Sequence, residues 1–299
     1  MILNRKKTWL KTIILTAAAA VLLVLSACSQ TGTAPSPSDP HEGMVEVPDG
    51  IGGTMWVQLY ENIPASSLQK DWFYSEDGIL KCSAEEFEVR NGIDVSFHQG
   101  DIDWDAAAES GVDFAMIRCG YRGTTEGGLY TDELFESNMR GALAAGLDVG
   151  VYFFSQAVSV SEAMEEADYV AELISGYDIT LPVMFDWERQ LAEQKARTAS
   201  VDGATLTDCC TAFCDMISAE GYEPGVYFYP NLGYFEYELD RLENLVFWVS
   251  DPGDTPDFYY EHYIWQYSHT GTVDGIDGDV DMNLLFVRSG NKQDENYPG

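Results

Sequence analysis

From about residue 91 onward, short apolar runs alternate with amphipathic segments. The runs that predict strands cover residues 92–97, 114–119, 149–154, 181–187, 225–229, 246–250, 263–267 and 282–287. The segments that predict helices cover residues 104–110, 132–145, 161–175 and 206–220. Strands alternating with helices favour βαβ units and a parallel sheet. Eight strands within residues 91–290 predict an α/β fold, an irregular (β/α)8-like barrel.

The second half of this predicted barrel is poor in helices, because only loops fit between the last strands. An open doubly wound sheet is the alternative, although no G-x-G-x-x-G follows the first strand. Residues 44–90 do not share the alternation and predict a small N-terminal β-hairpin extension. Its strands are expected at residues 56–60, 72–74 and 79–82, with a turn at 75–78.

The N-terminus has the pattern of an export signal. Residues 1–11 are basic, and the apolar run of residues 12–27 is shorter than the roughly 20 residues of a spanning helix. Leu25-Ser-Ala-Cys28 resembles a bacterial lipobox, in which Cys28 is lipidated; an ordinary cleaved signal is the alternative. We therefore expect a signal peptide at 1–27, then a lipidated Cys28 and flexible linker at 28–43. The protein would be extracytoplasmic, held on the bacterial cell membrane by the lipid anchor only.

The charge balance excludes one class of partner. The chain has 50 acidic against 16 Lys and Arg residues, a net charge of −34, whereas nucleic-acid binding needs a basic patch. Hydrophobic residues make up 45% of the chain, which argues for a packed core and against disorder. Five cysteines follow Cys28, and buried free thiols are favoured over a metal site, with a disulfide left open. No metal and no cofactor are expected.

Acidic residues stand at the ends of predicted strands, where the active site of a barrel lies. In the strand that ends in Asp186-Trp187-Glu188, alternation places both carboxylates on the inner face, with Cα atoms about 6.6 Å apart. Asp94 ends the first strand and Asp281 precedes the last. Such converging carboxylates suit glycoside hydrolysis or a hard-metal site, or are merely solvated acids in an acidic chain. Crowding raises the pKa of a carboxyl group, which is what a general acid needs.

Aromatic residues near strand ends add the stacking surfaces typical of sugar clefts, although aromatic residues usually belong to a core. Together with polar residues of the same strand ends, they give the candidate substrate-binding set. Its members are His98, Gln99, Arg118, Tyr121, Tyr152, Phe154, Tyr227, Trp248, Trp265 and Gln266.

A series of motifs in this order resembles glycoside hydrolase family 25, the Chalaropsis-type lysozymes. The matching motifs are Gly92-Ile-Asp-Val-Ser-Phe-His-Gln-Gly100, Phe114-Ala-Met-Ile-Arg-Cys-Gly-Tyr-Arg122, Leu181-Pro-Val-Met-Phe-Asp-Trp-Glu188, Trp265-Gln-Tyr267 and Val280-Asp-Met-Asn283. The resemblance implies a barrel-like fold and cleavage of the β-1,4 bond between N-acetylmuramic acid and N-acetylglucosamine in peptidoglycan glycan strands. It also suggests retention of configuration, assisted by the N-acetyl group of the substrate.

By position, the resemblance makes Glu188 the general acid and Asp186 its stabilising partner, while Asp94 and Asp281 tune the pair and hold substrate. The family tends to have Trp-x-Ala-x-Tyr where this chain has Trp248-Val-Ser-Asp-Pro252, so one subsite contact is expected to differ. We expect a monomer. The alternatives are an inactive peptidoglycan-binding lipoprotein and a chitinase-like glycosidase, which also uses D-x-E on a strand.

Overall fold

The computed structural model describes residues 39–76, 78–190 and 195–289. The predicted signal peptide, Cys28 and most of the linker lie outside the described residues. The same holds for residues 291–299, for which the sequence predicts a C-terminal tail after the barrel. The chain divides into two compact units, residues 1–44 and 45–299. In the first unit, the described residues form a turn in which the Met44 N–H donates to the His41 carbonyl at 3.0 Å.

The extension before the barrel consists of two small sheets. Strands β1 (Met44–Pro48) and β2 (Thr54–Gln58) form the first. Strands β3 (Phe73–Glu76) and β4 (Ile79–Cys82) form an antiparallel hairpin, as the turn at residues 75–78 predicted. Gly78 has a φ of 82°, a left-handed conformation that suits glycine in this tight turn.

Eight further strands close into a barrel, which confirms the predicted α/β class and architecture. They are β5 (Phe87–Val95), β6 (Phe114–Arg122), β8 (Asp148–Ser155), β9 (Val183–Trp187), β10 (Pro224–Phe228), β11 (Val246–Ser250), β12 (Ile264–Gly271) and β13 (Val280–Arg288). Around the ring the order is β5-β13-β12-β11-β10-β9-β8-β6, and pairing of β5 with β6 closes it. A short strand, β7 (Leu129–Thr131), pairs antiparallel with the end of β6.

The last strand departs from the predicted parallel sheet. Strand β13 runs antiparallel to both of its neighbours, β12 and β5. The cause is the connection: residues 272–279 are fewer than the dozen or more that a crossover between parallel strands needs. The beginning of β13 therefore lies at the same rim as the carboxyl ends of the other strands.

The helices lie where the hydrophobic pattern predicted them, with shifted ends. They are α1 (Trp104–Glu109), α2 (Phe135–Ala144), α3 (Val160–Ile174), α4 (Gly203–Ala219) and a short unpredicted α5 (Pro230–Phe235). Helix α3 begins at Val160, one residue before the predicted segment 161–175, so Ser159 is its N-cap residue and a cap at Ser161, which the sequence also predicts, is wrong. Helix α4 is capped by Asp202, whose side chain accepts from the Thr205 N–H at 2.8 Å. No α-helix lies between β11 and β13 in the described residues, as expected.

Two apolar layers hold the barrel together. The interior is filled by Phe114, Met116, Leu181, Met184, Val246, Trp248, Ile264 and Leu285. A larger layer packs between the outside of the sheet and the helices, and includes Phe185, Trp187 and Phe213. Along β9 the side chains alternate, so Met184 fills the interior while Phe185 and Trp187 face the helices. On the inner face of β9, Met184 is therefore the last residue of the apolar interior, and Asp186 is the first residue of the polar opening of the barrel, here called the mouth.

The cysteines take no part in that mouth. Cys119, Cys209, Cys210 and Cys214 are buried as free thiols in the outer layer, and Cys82 is half-buried. Across residues 39–76, 78–190 and 195–289, none of the helices combines the length and apolar character needed to cross a bilayer.

Candidate active site

A cleft of about 220 Å³ opens at the rim where the parallel strands end. It is lined by Asp94, Ser96, His98, Gln99, Arg118, Tyr152, Phe154, Asp186, Glu188, Tyr227, Trp248, Gln266 and Asp281. Every side chain of this set comes from a barrel strand or the few residues that follow or begin one. The lining combines aromatic faces with four carboxyl groups.

Strand β9 and its flanks fix the first carboxyl pair. The Trp187 ring packs outside the sheet, where its Nε1–H donates to the Ala157 carbonyl at 3.1 Å, so its neighbours Asp186 and Glu188 face the mouth. The Gln156 amide donates to the Glu188 carbonyl at 3.0 Å. Arg189 donates to the Val201 carbonyl at 2.8 Å and pairs with Glu236. The backbone of Glu188 is therefore fixed by the contacts of Trp187 before it, of Arg189 after it and of its own carbonyl.

Burial governs the protonation of this pair. It raises the pKa of Asp186 well above the ordinary value, and the charges of Glu188 and Asp94 raise this pKa further. The Arg118 guanidinium lowers it in part. Burial also raises the pKa of Glu188, which the charge of His269 lowers and that of Asp281 raises. Asp186 Oδ1 has no hydrogen-bond partner among the described residues. Two carboxyl groups in this environment can divide the roles of proton donor and carboxylate.

The second carboxyl pair consists of Asp94 and Asp281, which lie on the first and last strands of the barrel. Register places Asp281 of β13 directly opposite Asp94 of β5. Asp94 Oδ2 accepts from Gln266 Nε2 and from Asn283 Nδ2, both at 2.8 Å. Asn283 Oδ1 in turn accepts from Trp248 Nε1 at 2.8 Å. Burial, followed by the Asp281 charge, raises the pKa of Asp94 to about 8, so this pair retains a proton at neutral pH.

Polar residues that follow β5 and lie on its neighbour β6 are held in place by local hydrogen bonds. A 3₁₀ turn at Phe97–Gln99 is closed by a capping box, in which the Ser96 N–H donates to Gln99 Oε1 at 2.9 Å. This turn presents His98 and Gln99 to the cleft. Arg118 Nε donates to Asp132 Oδ2 at 2.8 Å, and its guanidinium lies 5.0 Å from the centre of the Phe97 ring. Arg118 is thus oriented before any ligand arrives.

The structure brings twelve of the fourteen predicted catalytic and substrate-binding residues to the cleft and leaves out Tyr121 and Trp265. Trp265 is buried in the outer layer, where its Nε1–H donates to the Asp251 carbonyl at 2.9 Å. Successive strand residues face opposite sides, so Trp265 and Gln266 cannot both point inward. Tyr121 stacks on Tyr130 at 5.3 Å instead, beyond a register shift in β6. The assignment of Trp265 is therefore wrong, whereas that of Tyr121, whose ring lies 5.5 Å from the Arg118 guanidinium of the cleft, stays a prediction.

Sequence reasoning missed two residues that touch the carboxyl groups. Asn283 follows Asp281 by two positions, so strand alternation could have found it. His269 has its Nδ1 3.4 Å from Asp281 Oδ1. It lies between register shifts in β12, and no periodic pattern could have placed it there. In the part of the chain that the structure describes, no cluster of three His, Cys, Asp or Glu residues has an arrangement suited to a metal ion.

A closed barrel with paired carboxyl groups at the carboxyl ends of its strands is the arrangement of a glycoside hydrolase. The model of the glycosyl hydrolases family 25 matches residues 93–276, and the chain belongs to this family.

Named relatives agree with this membership. The chain is similar to the autolytic lysozyme of Clostridium acetobutylicum, with 30% identity over 193 residues, which cover 64% of this chain and 54% of that protein. The chain thus spans about half the length of this relative.

Two solved structures share the fold. The bacterial lysozyme from Streptomyces coelicolor is 27% identical with a TM-score of 0.54, over 68% of this chain and 93% of that one. The modular autolysin LytC from Streptococcus pneumoniae, solved in complex with a synthetic peptidoglycan ligand, has a TM-score of 0.62. It is 23% identical, over 81% of this chain and 56% of that one, and at this identity it bears on the fold alone.

Proposed function

We propose that this protein is a peptidoglycan hydrolase, an N-acetylmuramidase that cleaves the β-1,4 bond between N-acetylmuramic acid and N-acetylglucosamine. The observation that carries the proposal is the pair at the end of β9. Asp186 is buried and Glu188 is half-buried, and both carboxyl groups have raised pKa values and face one aromatic-lined cleft. Similarity to the autolytic lysozyme supports peptidoglycan as the substrate.

Glu188 acts as the general acid in this mechanism. Its burial favours the protonated carboxyl, which donates its proton to the glycosidic oxygen as the bond to the sugar carbon breaks. The resulting carboxylate later accepts a proton from the attacking water, so the group returns to its starting state. Asp186, as the carboxylate partner, stabilises the positive charge that develops on the sugar and steadies its N-acetyl group.

Asp94 and Asp281 tune the reacting pair. The charge of Asp94 raises the pKa of Asp186, so a protonated Asp94 lets Asp186 ionise more easily. The amides of Gln266 and Asn283 fix the Asp94 carboxyl in place. The division in which Glu188 carries the proton and Asp186 the negative charge rests on the family 25 motif, and it requires Asp186 to ionise although burial raises its pKa.

The decisive experiment is reducing-end analysis of purified peptidoglycan digested by the full chain. We expect new reducing ends on N-acetylmuramic acid, and a loss of about 10²–10⁴-fold in rate for Glu188→Gln, the range of general acid catalysis. Glu172→Gln is the matched control, because Glu172 is exposed on α3. The rate of Asp186→Asn is compared with the rate of Asp168→Asn, because Asp168 is also exposed on α3. Full activity in Glu188→Gln would overturn the assignment.

The same assay separates the alternatives. A chain that binds peptidoglycan but releases no product would be an inactive wall-binding lipoprotein. Hydrolysis of chitin oligomers without hydrolysis of peptidoglycan would identify a chitinase-like glycosidase.

We further propose that the protein works outside the cytoplasm, anchored to the bacterial cell membrane through a lipidated Cys28. The lipobox-like Leu25-Ser-Ala-Cys28 and the Pro- and Ser-rich stretch after it support this location. Cell fractionation tests the anchor. The wild-type chain should pellet with membranes and Cys28→Ser should not, whereas equal pelleting would refute lipidation at this residue.

A further inference from the structure

Strand β12 carries an irregularity that reaches the cleft. Its pairing with β13 shifts register between Gln266 and Ser268 and again between Ser268 and Gly271. Bulges of this kind redirect side chains. Here the shifts bring the imidazole of His269 to the rim, with Nδ1 3.4 Å from Asp281 Oδ1. The His269 side chain is 50% exposed, so it can exchange protons with solvent.

The groups that face His269 from other elements are carboxyl groups. Asp281 of β13 is its direct partner, and the charge of His269 also lowers the pKa of Glu188, which follows β9. Asp94 of β5 lies on the far side of Asp281. Arg118, whose charge lowers the pKa of Asp186, is already paired with Asp132 at 2.8 Å. Among the described residues, His269 is therefore the cation whose charge lowers the pKa of Asp281.

Burial and hydrogen bonding decide which carboxyl of this pair holds the shared proton. Asp94 is 6% exposed, whereas the Asp281 side chain is 32% exposed and lies beside the imidazole. An ionised carboxylate is favoured where solvent and a positive charge reach it, and a neutral one where burial is deepest. Burial raises the pKa of Asp281 too, but the charge of His269 and a hydrogen bond with Asp94 lower it. The shared proton is therefore favoured on Asp94, the carboxyl group farther from His269.

We propose that His269 is a positioning residue of the active site, whose imidazolium keeps Asp281 ionised and thereby keeps the shared proton on Asp94. The proposal rests on the muramidase function proposed above. A neutral Asp94 leaves Asp186 with one negative neighbour fewer, so Asp186 can ionise beside protonated Glu188. His269 thus acts on the reaction through Asp281 and Asp94, without contact with the reacting bond.

The first test is the pH profile of kcat/KM on peptidoglycan. Removal of a positive charge makes every nearby carboxyl group harder to ionise, so both limbs of the His269→Gln profile should move to higher pH. We expect each limb to shift by about 0.3 pH unit, a small shift because a half-exposed ion pair is a weak interaction. His269→Lys keeps the charge and should hold the acidic limb near its wild-type position. Arg140→Gln, which removes an exposed cation on α2, controls for net charge and should leave both limbs in place.

The second test needs no activity. The side-chain carboxyl resonance of Asp281, identified by its loss in Asp281→Asn, is followed by NMR against pH in the wild type and in His269→Gln. Because the His269 charge lowers the pKa of Asp281, loss of His269 should move the midpoint of the Asp281 titration to higher pH. An unchanged midpoint, or unchanged limbs in His269→Gln, would overturn the proposal. A wild type without muramidase activity would instead refute the proposed function, and the NMR titration would still decide the pairing.

Discussion

Replacement of Asn283 by leucine should be among the costliest single changes in the site. Asn283 is fully buried on the strand that closes the barrel, and its side chain joins two others. Its carbonyl oxygen accepts from Trp248 Nε1 and its amide nitrogen donates to Asp94 Oδ2, both at 2.8 Å. Leucine has a similar size but can make neither hydrogen bond, so the change isolates hydrogen bonding from packing.

The magnitude follows from the two groups left behind. Trp248 Nε1–H would keep no acceptor in a buried site, and Asp94 would keep Gln266 as its amide donor. A buried polar group without a partner costs about 1–3 kcal/mol. Because Trp248 loses its acceptor and Asp94 loses one of its two amide donors, we expect a loss of about 3 kcal/mol in the free energy of unfolding. That loss corresponds to a drop in Tm of roughly 6–12 °C for a domain of this size.

Guanidinium denaturation followed by tryptophan fluorescence measures this loss, and calorimetry gives the change in Tm. Trp248→Phe provides the matched comparison, because it removes the indole N–H. In the double variant no orphaned N–H remains, so its loss should be smaller than the sum of the two single losses. A loss below about 1 kcal/mol for Asn283→Leu, or additivity within about 0.5 kcal/mol, would refute the reasoning.

Two further predictions concern buried carboxyl groups. The folded-state pKa of Asp94 is about 8 against an ordinary 3.8, so its contribution to stability is fully present below about pH 4 and is lost as pH rises through 8. Asp94→Asn should therefore gain stability relative to the wild type between pH 4 and 9 in urea denaturation series, and parallel curves would contradict this. Glu166→Leu should cost about 3 kcal/mol, because buried Glu166 pairs with Arg122 at 2.6 Å and accepts from Ser155. The neighbouring exposed Glu165→Leu should cost less than about 1 kcal/mol, and equal losses in guanidinium denaturation would argue against a special role for the buried pair.

The barrel could be predicted because its strands are short and buried on both faces. Such strands stand out as continuous apolar runs between helices with one apolar stripe. The inner face of β9 followed from the same pattern, since Trp187 outside the sheet forces Asp186 and Glu188 inward. Periodicity therefore located the acid pair as well as the strand that carries it.

The direction of the last strand could not be predicted in the same way. Hydrophobic periodicity describes which side chains are buried, and a strand reads alike in parallel and antiparallel pairing. Only the length of residues 272–279 contained the information. Trp265 shows a related limit: an aromatic residue beside a polar one at a strand end fits both a cleft and a core, and alternation assigns it to the core.

The position of His269 in the site could not be predicted from the local sequence. Its approach to Asp281 depends on two register shifts, which arise from the fit of β12 against β13. The pairing of Asp94 with Asp281 depends likewise on contacts between strands far apart in the chain. The signal sequence and Cys28 lie outside the described residues and stay predictions.

The antiparallel closing strand also sets the order in which the site comes into being. Asp94 and Asn283 are 189 positions apart, and they meet only when β13 docks between β5 and β12. A contact this distant in sequence carries a higher loop-closure cost than contacts within one βαβ unit, so we expect it to form after them. A chain that ends before Val280 contains Asp186 and Glu188 but neither Asp281 nor Asn283. A growing or truncated chain thus lacks the complete cleft, and the carboxyl cluster exists only once the ring is whole.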